Sequence, residues 1–288
     1  MRKYLLTLVL GLMPLCFFAQ GSTDDKEKLY VDYFSSSSNI SKTLVKALRN
    51  KVIEGIHEMN RVVLIDVDSD EVLKKEAKRR ASESAMGDAT ARSESMTTLG
   101  AGYLLQGQII SMTTSKEKDS EGKIYYKGSV AYTLKVIDAS NGTLKGTQTF
   151  EHKGFTGGRG NTSEEAILKT LDYVKINMGD FVDEQFKMEG TIVQSGEVSK
   201  QKVKTVYIDL GKNKGVLERQ KFLVYEEVDI AGEISRQEIG QLNVKEVLSA
   251  GRSLCKVSKG GEEIFDALQR GATLIVVSRP QTFFGDLF

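Results

Sequence analysis

From Leu29 onward the apolar residues recur at two different spacings, and the change from one to the other predicts the elements. Leu29-Tyr30-Val31-Asp32-Tyr33-Phe34 is a short, mostly apolar run that reads as a first strand. Ser35 to Ser38 and Asn39 supply the short polar side chains that cap helices. Ile40, Leu44, Val45, Leu48, Val52 and Ile56 then fall three and four apart, the spacing of a helix with one face on a core. Lys42, Lys46 and Asn50 lie off that stripe and Arg49 and Lys51 flank it, which predicts a solvated basic face. Val62 to Val67 is almost continuously apolar, the pattern of a central strand covered on both sides. Glu71 to Met96 is poor in large apolar residues and rich in Ala, Ser, Lys and Arg, so it predicts one or two surface helices broken near Gly87.

Tyr103 to Ile110 reads as a third strand. Ile124, Tyr126, Val130, Tyr132, Leu134 and Val136 alternate with Lys123, Lys127, Ser129, Thr133 and Lys135, which predicts a strand with one wet face. Asn141-Gly142 predicts a hairpin turn, with Thr143 to Phe150 returning. Gly154 to Gly160 reads as a flexible loop. Thr162-Ser163-Glu164-Glu165 matches a capping box, and Ile167, Leu168, Leu171, Val174, Met178, Phe181 and Val182 give the following helix a core stripe.

The order β-α-β-α, meander, closing helix predicts an α/β (α+β) arrangement, with helices packed on a mixed sheet. Past Gly190 the helical spacing almost vanishes. Val203–Leu210, Lys221–Val228, Gln241–Ala250, Ser253–Val257 and Ala272–Val277 read as strands separated by Gly and Asn turns, which predicts a small, mostly-β, barrel-like domain. The expected division is therefore 20–188 for the α/β domain, 189–279 for the β domain and 280–288 for an apolar tail.

The N-terminus changes the picture of where this fold works. Arg2-Lys3, an apolar run from Tyr4 to Phe18 and a small residue at Ala19 form the basic head, core and cut site of a secretory signal, expected over residues 1–19. The run is shorter than the roughly 20 apolar residues of a spanning helix. A lipoprotein cut before Cys16 is the alternative, and Leu15 is too bulky for that pattern. Cleavage removes Arg2 and Lys3 and leaves 38 basic residues against 39 acidic ones, so no charge imbalance points to nucleic acid. Cys255 is then the one remaining thiol and sits in a strand-like run, where a buried structural role is expected.

Candidate chemistry is sparse, and no enzyme, metal or cofactor is expected. His57 and His152 are too few for most metal or triad sites. Asp66-Val67-Asp68-Ser69-Asp70 opens like a calcium loop, but Glu71 stands where that loop needs Gly and Ala77 where it needs Glu. Gly157-Gly158-Arg159-Gly160 precedes a helix, but Asn161-Thr162 replaces the Lys-Ser or Lys-Thr of a phosphate loop, and Glu164 and Glu165 would repel phosphate.

Thr98-Leu99-Gly100-Ala101-Gly102-Tyr103-Leu104-Leu105-Gln106-Gly107 resembles the "Gly-Ala-Asp-Tyr-Leu-aliphatic-x-Gly" strand of the CsgG-like envelope proteins, with Gly102 where Asp is usual. The likeness covers roughly residues 29–186. Val206-Tyr207-Ile208-Asp209-Leu210-Gly211 and Gly215-Val216 resemble the C-terminal β domain of the flagellar assembly protein FlgT, with Arg219-Gln220-Lys221 where that family has Gly-Asp. The resemblance implies a periplasmic fold, with outer-membrane association as the alternative, among relatives that include the curli secretion channel and LpoB-type activators of penicillin-binding proteins. It implies a non-enzymatic envelope assembly or transport component, acting as a soluble adaptor. The alternatives are a regulator of a peptidoglycan synthase and an outer-membrane secretion channel subunit.

Glu151 to Asn161 is too short for a pore hairpin, and Ser115 to Glu121 is charged. Expected partners are envelope proteins or further copies of the chain, and no spanning segment is left after signal cleavage. The candidate binding residues are Phe283, Phe284, Leu287 and Phe288 of the tail, since burying each is worth about 1.5–3 kcal/mol.

Overall fold

The computed structural model describes residues 26–37, 39–66 and 100–279. The expected signal segment, the helices of 71–96 and the tail of 280–288 lie outside those residues. The first body is a mixed sheet in the order β2-β1-β3-β4-β5, built from β1 (Lys28–Val31), β2 (Val63–Asp66), β3 (Tyr103–Lys118), β4 (Ile124–Asp138) and β5 (Leu144–His152). β1 runs parallel to both β2 and β3, and β3, β4 and β5 form the expected antiparallel meander. Three helices, α1 (Lys42–Glu58), α2 (Ser163–Leu171) and α3 (Val174–Gln185), share one core with the sheet. In that core Leu48, Val52 and Ile56 of α1 and Met178 and Phe181 of α3 meet Leu105, Tyr132, Leu134 and Phe150. The two periodicities read from the sequence are the two sides of this contact. Tyr30 and Leu104 point to the opposite face and are buried there with Ala101 and Ala139.

Several expectations need correcting. β2 ends the described row and is not central. Its apolar run reflects pairing with β1 and packing against α1. Arg49 is buried, not solvated: it donates to the carbonyls of Val31 (3.0 Å) and Asp32 (2.9 Å) and pairs with Asp66. It closes off the C-terminal ends of β1 and β2, where strand carbonyls would otherwise lack donors. Ser41 caps α1, its Oγ accepting from the Thr43 N–H at 3.3 Å, so the cap lies just past the Ser35–Asn39 run. The closing helix is two helices, with the break at Asp172-Tyr173. Its capping box forms: Thr162 Oγ1 accepts from Glu165 N–H (3.1 Å), and Glu165 accepts from the Asn161 N–H (2.7 Å).

The Gly154–Gly160 segment is not a flexible loop. Its end is strand β6 (Arg159–Gly160), paired to Tyr126 and Lys127 of β4. A Cβ on Gly158 would come within 2.4 Å of the Thr170 amide, and one on Gly160 within 2.5 Å of the Ala166 amide. These glycines let the strand lie directly on α2, which is close approach and not mobility.

The second body is a closed six-stranded barrel in the order β10-β13-β12-β11-β14-β7. Its strands are β7 (Glu189–Ser195), β10 (Thr205–Ile208), β11 (Lys221–Ile230), β12 (Glu233–Ser249), β13 (Arg252–Lys259) and β14 (Leu274–Arg279). A small ribbon of β8 (Val198–Ser199) and β9 (Lys202–Val203) stands beside it. The five runs read as strands all appear, and β7, which closes the ring, was not among them. Phe222, Val224, Leu242, Val244, Cys255 and Val276 fill the interior. Helix α4 (Gly261–Gln269) breaks the expected all-β pattern and adds Ile264 and Ala267 to that core. Its N-cap is Gly260 at φ 79°, with no side-chain cap, so the usual polar start signal is missing.

The bodies meet around Arg61, just ahead of β2. Its guanidinium pairs with Asp183 of α3 at 2.7 Å with both side chains buried, and reaches the carbonyl of Phe186 at 3.3 Å. Burial lowers the Arg61 pKa and Asp183 opposes that shift. Gly215 of the barrel, at φ 76°, packs on the Asn60 carbonyl and Arg61 Cα, where a Cβ would come within 2.2 Å.

Asp183→Asn leaves the buried guanidinium uncompensated and is expected to lose about 3–5 kcal/mol in urea unfolding. The paired replacement Arg61→Met with Asp183→Leu is expected to recover most of that loss, because no buried charge then remains.

Candidate functional site

Each residue singled out from sequence has a definite place or lies outside the described chain. Phe283, Phe284, Leu287 and Phe288 fall outside it, as do Asp68 and Asp70. Asp66 is engaged by Arg49. His57 is exposed in the last turn of α1. Cys255 is fully buried in the barrel, and burial pushes its thiol pKa up to about 12, which suits a core residue and not a nucleophile. His152 is buried on the core face of β5, stacked near Tyr132 with ring centroids 6.0 Å apart. The structure brings none of the described ones, Asp66, His57, His152 and Cys255, together. Among the described residues, no group of three or more His, Cys, Asp or Glu side chains is placed to hold a metal ion.

What the fold does present is a projecting arm. β11 and β12 stay paired from Lys221–Asn243 out to Ile230–Glu233. β14 covers β11 only as far as Glu226, and β13 meets β12 only from Gln241 onward. The distal ladder, Glu227–Ile230 with Glu233–Arg236, is therefore a two-stranded ribbon with both edges unpaired by neighbouring barrel strands. Ala231 (φ 56°) and Gly232 (φ 91°) make its tip, two consecutive left-handed residues as a tight hairpin of matching twist requires. Asp229 accepts from the Gly232 N–H at 2.7 Å and fixes that turn.

The arm is acidic and its tip is apolar. Glu227, Asp229 and Glu233 stand against a single Arg236 in the distal ladder, and Glu226 at its base is bridged by Arg270, the C-cap of α4. Ile230 and Ile234 are 60% and 68% exposed. Their strand partners are Glu233 and Asp229, so the two isoleucines point to opposite faces of the ribbon. Arg236 holds Glu189 of β7 through two bonds of 2.9 and 2.7 Å, which ties the arm to the barrel and lowers the Glu189 pKa. Sequence reasoning missed the arm because alternating charge broke its apolar pattern. The signal that could have found it is Ala231-Gly232 between two runs of similar length.

A second exposed feature is Phe155, 94% accessible in the short turn Gly154–Thr156 between β5 and β6. Close by in the fold, the Arg159 guanidinium lies 4.9 Å from the centroid of Tyr125.

No family model matches the chain, and neither does any curated protein. Solved structures overlap part of it. The PelC dodecamer from Paraburkholderia phytofirmans is 12% identical, covering 57% of this chain and 89% of that one, with a TM-score of 0.35. The lipoprotein GNA1162 from Neisseria meningitidis is 13% identical over 52% of this chain and 96% of that one, with a TM-score of 0.36. The LpoB C-terminal domain from Salmonella enterica is 11% identical over 47% of this chain and 88% of that one, with a TM-score of 0.29. Overlaps of this extent carry no functional argument.

His152 yields a pH prediction. Its Nε2 and the Tyr132 hydroxyl are buried without hydrogen-bond partners, and burial lowers the imidazole pKa from its ordinary 6.5. Stability is therefore complete above the unfolded-state pKa and is lost as pH falls below about 6.5 through the folded value. Unfolding midpoints measured down to about pH 5 are expected to fall more steeply for the parent than for His152→Leu.

Proposed function

We propose that the chain is an exported, non-enzymatic envelope protein that works by surface contact, as an adaptor or regulator of a partner protein. The observation that carries this reading is the contrast between the barrel's interior and its arm. The interior is filled by Phe222, Val224, Leu242, Val244 and Cys255, so the ring encloses packed side chains and not a ligand lumen. The arm holds isoleucines in solvent, where exposed apolar residues ringed by charge favour a protein partner.

Two observations favour a regulator over a channel subunit. The barrel is apolar inside, the inverse of an outer-membrane barrel, whose apolar band faces lipid. The distal part of the β3–β4 hairpin carries Lys116, Glu117, Lys118, Asp119, Glu121 and Lys123, and charges of that density do not sit in hydrocarbon. The expected signal segment supports the exported location, and no helix among the described residues is long and apolar enough to cross a membrane. Control of a peptidoglycan synthase is one partner class consistent with this reading. The apolar tail, Phe283, Phe284, Leu287 and Phe288, which follows β14 in the sequence, is proposed as a second contact.

Deleting residues 282–288 tests this reading. The expected result is an unchanged melting temperature with loss of the mass shift that detergent-solubilised envelope extract produces in light scattering. A large fall in melting temperature would assign the tail to its own domain's core. A discrete ring-sized oligomer of the unmixed parent would favour a transport assembly and overturn the regulator reading.

A further inference from the structure

We propose that the apolar tail, with Phe283, Phe284, Leu287 and Phe288, docks back into a groove at the rim of its own barrel. The groove has a volume of about 410 Å³, and Val216, Leu217, Val247 and Leu248 make its wall more apolar than polar. A cavity of about 150 Å³ holds a benzene ring, so this one has room for two aromatic side chains. Val216 is part of the barrel core and Val247 packs against it, while Leu217 and Leu248 are 37% and 44% exposed. The groove is thus an opening of the apolar interior toward solvent, which single scattered surface residues do not make.

Topology selects the occupant. Arg279 ends β14 and pairs with Lys221, which begins β11. Leu217 stands four residues ahead of Lys221. On the other side, Lys221 pairs with Asn243, and β12 continues from there to Val247 and Leu248. The chain therefore leaves β14 on the rim that carries the groove, at most about 20 Å from Leu217. Phe283 and Phe284 follow Arg279 by about 13–18 Å of extended chain, and residues 280–288 span about 30 Å. β14 lies between β11 and β7, where Pro280, with no N–H, cannot continue the ladder.

The tether also favours the tail over any apolar segment arriving from solution. A short linker holds its end at an effective concentration in the millimolar range, so a contact of modest intrinsic affinity fills the groove. Docking there is a reversible surface contact outside the packed interior, and the barrel keeps its melting temperature when the tail leaves. The docking is independent of the adaptor reading. It gives the tail a resting place from which a partner draws it.

The chain has no tryptophan, so Phe284→Trp places a single fluorescent reporter in the tail. In the purified full chain its emission is expected to be blue-shifted and weakly quenched by acrylamide at every dilution. Adding Leu217→Asp with Leu248→Asp is expected to move the emission to the red and to raise quenching severalfold. Leu248→Ser alone, a milder change, is expected to act in the same direction. Ile230→Asp, at an exposed position on the arm, is expected to change neither reading. Solvent-like emission before any groove substitution, or blue emission that the groove substitutions leave unmoved, would overturn the proposal. Emission that turns blue only as concentration rises would also overturn it, by assigning the groove to the tail of a second copy. No envelope extract is present, so failure here is separate from failure of the adaptor reading.

Discussion

The buried pair of Arg61 and Asp183 is the constraint on which the arrangement of this chain depends. A guanidinium and a carboxylate held at 2.7 Å away from water tolerate little displacement, because separating them strands a charge in a poor solvent. The pair joins the lead-in to β2 with the last turns of α3, which are far apart in sequence. The same guanidinium reaches Phe186, where the chain leaves the helical layer for the barrel. Gly215 lies against Asn60 and Arg61 from the other side. The pair thus fixes the edge of the α/β body on which Gly215 of the barrel packs, with the two apolar cores remaining separate.

That separation bears on function. Each body spends its large apolar residues on its own interior, and the described surface is mostly polar. The exceptions stand out for that reason. The β11–β12 arm extends beyond the strands that would cover it, and a two-stranded ribbon is marginally stable alone in water. Asp229, the Ala231-Gly232 turn and the Arg236–Glu189 bridge hold it in shape. A ribbon kept ordered with isoleucines in solvent suits contact with another macromolecule, and its acidity favours a basic surface on that partner.

Much of the framework was legible from spacing. The stripe from Leu44 to Ile56, the alternation from Tyr126 to Val136 and the Thr162–Glu165 box each reappear as helix face, strand face and cap, because one-dimensional periodicity is set directly by local geometry. What escaped reading depends on contacts across the chain. Arg49 looks like any surface arginine until the ends of β1 and β2 meet it. Gly157 to Gly160 looks mobile until α2 lies on it. Helix α4 starts on a left-handed glycine and offers no polar cap. Arg61 carries no local mark at all, since its partner is in α3. The arm was hidden for a different reason: its alternating acids mask a strand that is exposed on both faces.

The central claim is that the protein acts through its surface, with the arm as a principal contact. Site-specific photo-crosslinking from Ile234 in living cells, with the exposed Leu144 on the α/β body as a control, tests it most directly. The account predicts a discrete adduct of one defined mass from Ile234 that is absent from Leu144. No adduct from Ile234, or the same products from both positions, would contradict it.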